Sequence, residues 1–246
     1  MTELDNRARA RALIAEFLQR MSAWRPGEPD TPGVDLLGVP PAVLAVVNEV
    51  TGEGEVGVRV SGANDVRIQE TVFAGVWRIC RFGGDGALVQ DRIEAGAIPA
   101  LVAQSAMQGS RTTLALPDIP DGVMNSPAVL HEIAAQMAAW RPGDRAHVVN
   151  LTLLPLSAED HRLLAQVLPQ GNVSIISRGF GNCRISSTAA RHVWRVQYFN
   201  NLQGLILDTI EVVDVPEVAL AAPEDIADSR ERLAELLEWM GEAVEA

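Results

Sequence analysis

Met21-Ser-Ala-Trp-Arg-Pro-Gly-Glu28 returns along the chain as Met137-Ala-Ala-Trp-Arg-Pro-Gly-Asp144, a shift of 116 residues, and Glu16 meets Glu132 at the same shift. Past this motif the shift becomes 117, as one extra residue in the second copy requires. There Gly54, Val56, Gly62, Arg67-Ile68 and Thr71 fall on Gly171, Val173, Gly179, Arg184-Ile185 and Thr188. Val76-Trp77-Arg78 and Phe82 fall on Val193-Trp194-Arg195 and Phe199. Leu88, Asp91, Ile93-Glu94 and Pro99 fall on Leu205, Asp208, Ile210-Glu211 and Pro216. Between residues 54–102 and 171–219, 15 of 49 ungapped positions are identical, where chance leaves only a few. The pattern reads as a tandem duplication with a period too long for a solenoid of short repeats.

Each copy carries the same order of elements. In the second, Ser126 and Pro127 have the chemistry of a helix start, and Leu130, Ile133, Met137 and Trp140 continue the apolar face. Arg141-Pro-Gly143 ends that helix, and Val148 to Leu156 reads as a strand. Ser157 followed by Asp160 resembles a capping box opening a helix to about Leu168. Four strands follow at Val173–Ser177, Cys183–Ser187, Val193–Phe199 and Leu205–Val213. The first copy gives a helix at Arg9–Met21, a weak strand near Val34–Leu37 and a helix at Pro41–Val50. Its strands fall at 56–60, 66–72, 76–82 and 87–94.

The expected fold is therefore α+β: each repeat is helix–strand–helix followed by a four-stranded, mostly antiparallel sheet, plus a C-terminal helix. The predicted divisions are a first repeat over 1–102, a linker over 103–123, a second repeat over 124–219 and a C-terminal helix over 220–246. In that last helix Pro223-Glu-Asp supplies acids to the positive end of the helix dipole, ahead of Ile226, Leu233, Leu236, Leu237 and Met240.

Composition narrows the chemistry. The 246 residues are 48% apolar and 21% charged, a globular balance, and the formal net charge is −12. No lysine occurs, so all 20 basic residues are arginine, which excludes Schiff-base, P-loop and general-base lysines. So acidic a chain is a poor ligand for nucleic acid and suits a basic partner. Cys80 and Cys183 show no metal-ligand spacing and read as free buried thiols of a reducing compartment. No apolar run approaches a membrane span and the N-terminus lacks a signal-peptide core, so a soluble, cytoplasmic protein is expected.

Gly52-Glu-Gly54-Glu-Val-Gly57 fits a dinucleotide fingerprint on paper, yet it runs from helix to strand and carries two glutamates that would repel a pyrophosphate. It reads as a turn. His131, His147, His161 and His192 all lie in the second copy without a tight ligand pair. Cys183 and His192 sit on neighbouring predicted strands, but surface or half-buried histidines are the better account. No catalytic constellation stands out, so the chain is read as a non-enzyme without cofactor or metal.

The informative segments are the two hairpins Arg67–Phe82 and Arg184–Phe199. Strand alternation puts Trp194 and Val196 on one face, and Arg195 and Gln197 on the other, with Arg184 across the hairpin. One reading is a core tryptophan with solvated arginines; the other is a docking surface, since Trp and Arg anchor interfaces. On the docking reading the partner-binding residues are Arg67, Trp77, Arg78, Phe180, Asn182, Cys183, Arg184, His192, Trp194, Arg195 and Tyr198.

Four segments together resemble one family: Arg67-Ile-Gln-Glu-Thr-Val-Phe-Ala-Gly-Val-Trp-Arg78, Gly179-Phe-Gly-Asn-Cys-Arg-Ile185, His192-Val-Trp-Arg-Val-Gln-Tyr198 and Glu211-Val-Val-Asp-Val-Pro-Glu217. They are similar to the HupH/HyaF hydrogenase expression proteins, over roughly residues 40–240, with little of the match before Thr31. The resemblance implies a non-catalytic chaperone in maturation of an uptake nickel–iron (NiFe) hydrogenase. Its implied partners are the iron–sulfur small subunit precursor, with its twin-arginine leader, and other maturation accessory proteins. The alternative in the same pathway is an iron–sulfur or metal carrier, or a redox protein, using Cys183.

Overall fold

The computed structural model describes residues 2–25, 27–28, 30–62, 65–179 and 181–245, of which 242–245 by their backbone alone. It is a mixed helix-and-sheet protein in two compact units. One comprises residues 1–59, 63–99 and 220–246, the other 60–62 and 100–219.

In the first unit, helix α1 (Glu3–Ala23) begins earlier than its apolar spacing predicts, because Thr2 and Asp5 form a capping box ahead of it. Strand β1 (Gly33–Asp35), helix α2 (Pro41–Thr51) and strands β2 (Val56–Val60), β3 (Asp65–Glu70), β4 (Val76–Phe82) and β5 (Leu88–Ala95) follow. Their order in the sheet is β1-β5-β4-β3-β2, with β1/β5, β5/β4 and β4/β3 antiparallel. Helix α6 (Pro223–Glu245) also belongs to this unit and packs on α1. Ile14, Phe17, Val43, Val47, Leu233 and Leu237 from the three helices meet Val76, Ile93 and Ala95 on one sheet face. Side chains so buried each contribute about 1.5–3 kcal/mol to folding.

The second unit repeats this order. Helices α3 (Ala100–Met107), α4 (Ser126–Ala139) and α5 (Ala158–Val167) accompany strands β6 (His147–Asn150), β7 (Gln170–Ser177), β8 (Asn182–Thr188), β9 (Val193–Phe199) and β10 (Leu205–Val212). The strand order is β7-β8-β9-β10-β6, again with antiparallel neighbours. Val129, Leu130 and Ile133 of α4 and Leu163, Leu164 and Val167 of α5 cover Val193, Ile210 and Val212.

Four expectations need correction. Each unit contributes five strands rather than four, because the short strand before the second helix (β1, β6) pairs with the last strand of its unit. The strand expected over 148–156 stops at Asn150, where its carboxamide oxygen accepts the Thr152 N–H and a 3-10 turn (Leu151–Leu153) begins. Ser126 does not cap α4; its hydroxyl donates to buried Asp160 and Asn125 takes the cap position. The segment expected as linker, 103–123, begins inside α3.

The duplicated Trp-Arg-Pro-Gly motif is a turn in both units. Glu28 N–H donates to Arg25 O at 3.1 Å and Asp144 N–H to Arg141 O at 3.0 Å. Each acid also accepts its arginine's N–H. Gly27 and Gly143 have φ of +98° and +88°, which glycine adopts without steric cost.

Candidate functional site

The strands of the two units hold the singled-out residues at matched places. Trp77 and Trp194 stand in the middle of their sheets, 0% and 1% exposed. Trp77 Nε1 donates to Gly96 O at 2.9 Å and Trp194 Nε1 to Asp214 O at 3.0 Å, so each indole ties its strand to the chain beyond the last strand. Cys183, at 1%, shares the Trp194 face. These three side chains belong to the interior; a partner meets other atoms.

Arg78 and Arg195 lie on the opposite face, the one packed by helices. Arg78 grips Asp91 with Nε and Nη2, and Nη1 reaches Asn48 of α2 at 3.1 Å. Arg195 binds Asp208 through Nε at 2.9 Å and Nη2 at 2.6 Å. Both carboxylates are buried and both forks are bidentate, the geometry arginine is built for. The hydrogen bonds that Arg195 donates to Asp208 raise its pKa above its ordinary value. These arginines hold neighbouring strands together.

Cys183 faces Tyr198 across the β8–β9 pair. Burial pushes the Cys183 thiol up to about 11 and the Tyr198 hydroxyl up to about 12. A thiol raised this far is a weak nucleophile near neutral pH. Among the described residues no three His, Cys, Asp or Glu side chains converge as a metal-binding group.

His192 is in the left-handed region at φ +61°, where the first unit has Gly75 at +74°. A left-handed non-glycine residue is worth noting. Its ring stacks on Trp140, centroids 3.8 Å apart, and its Nδ1 lies 3.1 Å from Asp214 Oδ1 without an aligned hydrogen bond. Burial lowers its pKa, outweighing the pull of Asp214 in the other direction.

The remaining residues lie toward the ends of the same strand pairs. Arg67 lies over the Phe82 ring and Arg184 over the Phe199 ring, each with 4.7 Å to the centroid. Asn182 is directly opposite Phe199. Phe180 lies outside the described residues. Sequence reading passed over Ile176, Leu205 and Ile206, which are 47%, 50% and 57% exposed around Arg184 and Phe199. The signal was available: in the strand alternation Ile176 shares the face of Arg184, and Leu205 that of Phe199.

The family described as HupH hydrogenase expression protein, C-terminal conserved region, matches the chain over residues 8–115 and again over 123–240. The hydrogenase expression/formation protein HoxQ of Cupriavidus necator is 45% identical over 233 residues, 94% of this chain and 82% of HoxQ. HupH of Rhodobacter capsulatus, of the same description, is 48% identical over 205 residues, covering 83% of this chain and 72% of that one. The hydrogenase-1 operon protein HyaF of Escherichia coli is 38% identical over 235 residues, 94% and 81% of the two chains. No helix among the described residues is long and apolar enough to cross a membrane.

Proposed function

Because this chain belongs to the HupH hydrogenase expression protein family, we propose that it serves hydrogenase formation as a non-catalytic accessory protein that binds an immature hydrogenase component. The observation that carries this reading is similarity along 94% of the chain to a hydrogenase expression/formation protein. The component we assign is the iron–sulfur small subunit precursor of an uptake NiFe hydrogenase, met in the cytoplasm before export. A net charge of −12 suits the basic twin-arginine leader of such a precursor, attracting it within about a Debye length, ~8 Å at physiological salt. The burial of Cys183, 1% exposed and so out of reach of an exchanging cluster, favours this binding role over a cluster or redox carrier. Descent of the two units from one duplicated ancestor is part of the same reading, supported by the paired Arg–Asp and Arg–Phe contacts at a shift of 117 and by the two tryptophans at that shift, each donating to a carbonyl just beyond the last strand of its unit.

The experiment is affinity purification of the tagged chain from cells expressing a hydrogenase operon, with mass spectrometry of what is retained. The small-subunit precursor is expected, and its retention should weaken in high salt or when the leader arginines are neutralised. Absence of any hydrogenase subunit, or equal capture by an unrelated protein of similar negative charge, would overturn the proposal.

A further inference from the structure

One exposed patch recurs in both units, and the loss of two charged side chains separates the second copy from the first. In the first unit Asp65 sits opposite Phe82, and Phe82 opposite Leu88, with Val89 at the register shift that follows. In the second unit Asn182 sits opposite Phe199, and Phe199 opposite Leu205, with Ile206 at the same shift. Bulges of this kind re-aim side chains, and here they leave Val89 at 48% and Ile206 at 57% exposure. Burial does not demand that exposed positions agree, yet Arg, Phe and Leu are identical in the two patches and Val is replaced only by Ile.

The difference lies in what surrounds the arginine. In the first unit Asp65 accepts Arg59 Nε at 3.1 Å and Arg67 Nε at 3.0 Å, so Arg67 has its carboxylate within the chain. In the second unit Ile176 takes the place of Arg59 and Asn182 that of Asp65. Ile176 lies directly opposite Arg184. The polar partner of Arg184 is Gln203 Oε1 at 3.3 Å, and among the described residues no carboxylate pairs with it. The Arg184 guanidinium lies over the Phe199 ring with Ile176 directly opposite, and its exposed fork is the geometry that takes a carboxylate bidentately.

Resting on the accessory reading above, we infer that this face of the second unit docks a partner segment that presents an Asp or Glu carboxylate flanked by apolar side chains. The carboxylate meets Arg184 as Asp65 meets Arg67, and the flanking side chains cover Ile176, Leu205 and Ile206. Asp65 is thus the in-chain image of the missing ligand, and the first unit is closed to the same partner by its own acid.

The test uses the whole chain and three capped tripeptides, acetyl-Leu-Glu-Leu-amide and its Gln and Lys counterparts, followed through backbone amide shifts. The Glu peptide should move the amides of Arg184, Phe199, Leu205 and Ile206 most. Asn182→Asp recreates the first unit's ion pair and should weaken that peptide about tenfold, the loss of one charge-assisted pair. Asp65→Asn should leave its binding unchanged, and circular dichroism should show all variants folded. Equal effects of the Glu and Lys peptides, or unchanged binding to Asn182→Asp, would overturn the inference. So would a concentration-dependent dimer that Asn182→Asp abolishes, which would give the patch to a second copy of the chain. In cells, Asn182→Asp should lower retention of the small-subunit precursor while Asp65→Asn does not. A positive titration with no hydrogenase subunit retained by the wild type would keep the patch and remove the accessory reading.

Discussion

Trp140 and His192 lie face to face, ring centroids 3.8 Å apart and planes inclined by 21°. The pairing joins the end of α4 to the β8–β9 turn of the second unit, and the first unit has Trp24 and Gly75 at these places. The charged groups bearing on the imidazole are Asp214 and Arg191; burial, joined by the Arg191 charge, outweighs the opposing pull of Asp214 and lowers its pKa from 6.5. A histidine whose folded pKa is depressed gives its full contribution above its unfolded value and loses it as pH falls. Thermal stability should therefore decline as pH drops below 6.5, and less so in His192→Asn, since asparagine tolerates the left-handed backbone. Melting temperatures of both proteins between neutral and mildly acidic pH decide it; parallel curves would remove His192 as the cause.

Asp160 is the other anchor of the second unit. Its carboxylate accepts the N–H groups of Met124, Asn125 and Ser126, the Ser126 hydroxyl and the Ser157 N–H, at full burial. Burial alone would raise its pKa, but the bonds from Ser126, Ser157 and Met124 outweigh it and hold the carboxyl well below the usual range. One side chain thus ties the start of α4 to the start of α5. Asp160→Asn keeps the shape but turns an acceptor toward several donors into an amide, and should cost about 3 kcal/mol in urea unfolding. The contribution is present above pH 3.8 and lost with acidification, so the wild-type advantage should shrink toward low pH.

The two Arg–Asp forks make a graded comparison. The Arg78 side chain is 17% exposed and Arg195 37%, while Asp91 and Asp208 are both 4%. Truncating the arginine strands a buried carboxylate in either unit, a loss of about 3 kcal/mol when the partner is fully desolvated. Solvent screens the second pair more, and it should lose nearer 1–2 kcal/mol. Urea unfolding of Arg78→Ala and Arg195→Ala should rank them in that order; the reverse ranking would place the stability elsewhere.

Much of this was legible before any coordinates. The Pro-Gly turns, the strand alternation and the Ser157–Asp160 capping box are local chemistry, and they lie where the residues place them. Burial of both sheet faces was not legible, because alternation separates two faces without saying what covers each. Trp77 and Trp194 therefore looked available to a partner and are not. The run to Leu156 stayed apolar past Asn150, so composition concealed the break made by a side-chain cap. The Arg184 patch needed two observations together, the register that sets Ile176 and Asn182 around it and the first copy that shows what those positions can hold.

Cys183 gives the sharpest test of binding against carrier chemistry. Its side chain is buried, and burial pushes the thiol up to about 11, so little thiolate exists at neutral pH. Cys80 is half-buried, with its thiol also raised by burial and next by the charge of Asp91. Alkylation of the native protein near neutral pH should therefore leave Cys183 almost unlabelled, with Cys80 reacting first and both reacting promptly in urea, since the thiolate is the nucleophile. Mass spectrometry of the two cysteine-containing peptides separates them. Rapid native labelling of Cys183, suppressed by added iron or zinc, would reverse the assignment and make it a ligand after all. Cys183→Ala should leave retention of a hydrogenase subunit intact while costing about 1–2 kcal/mol of packing.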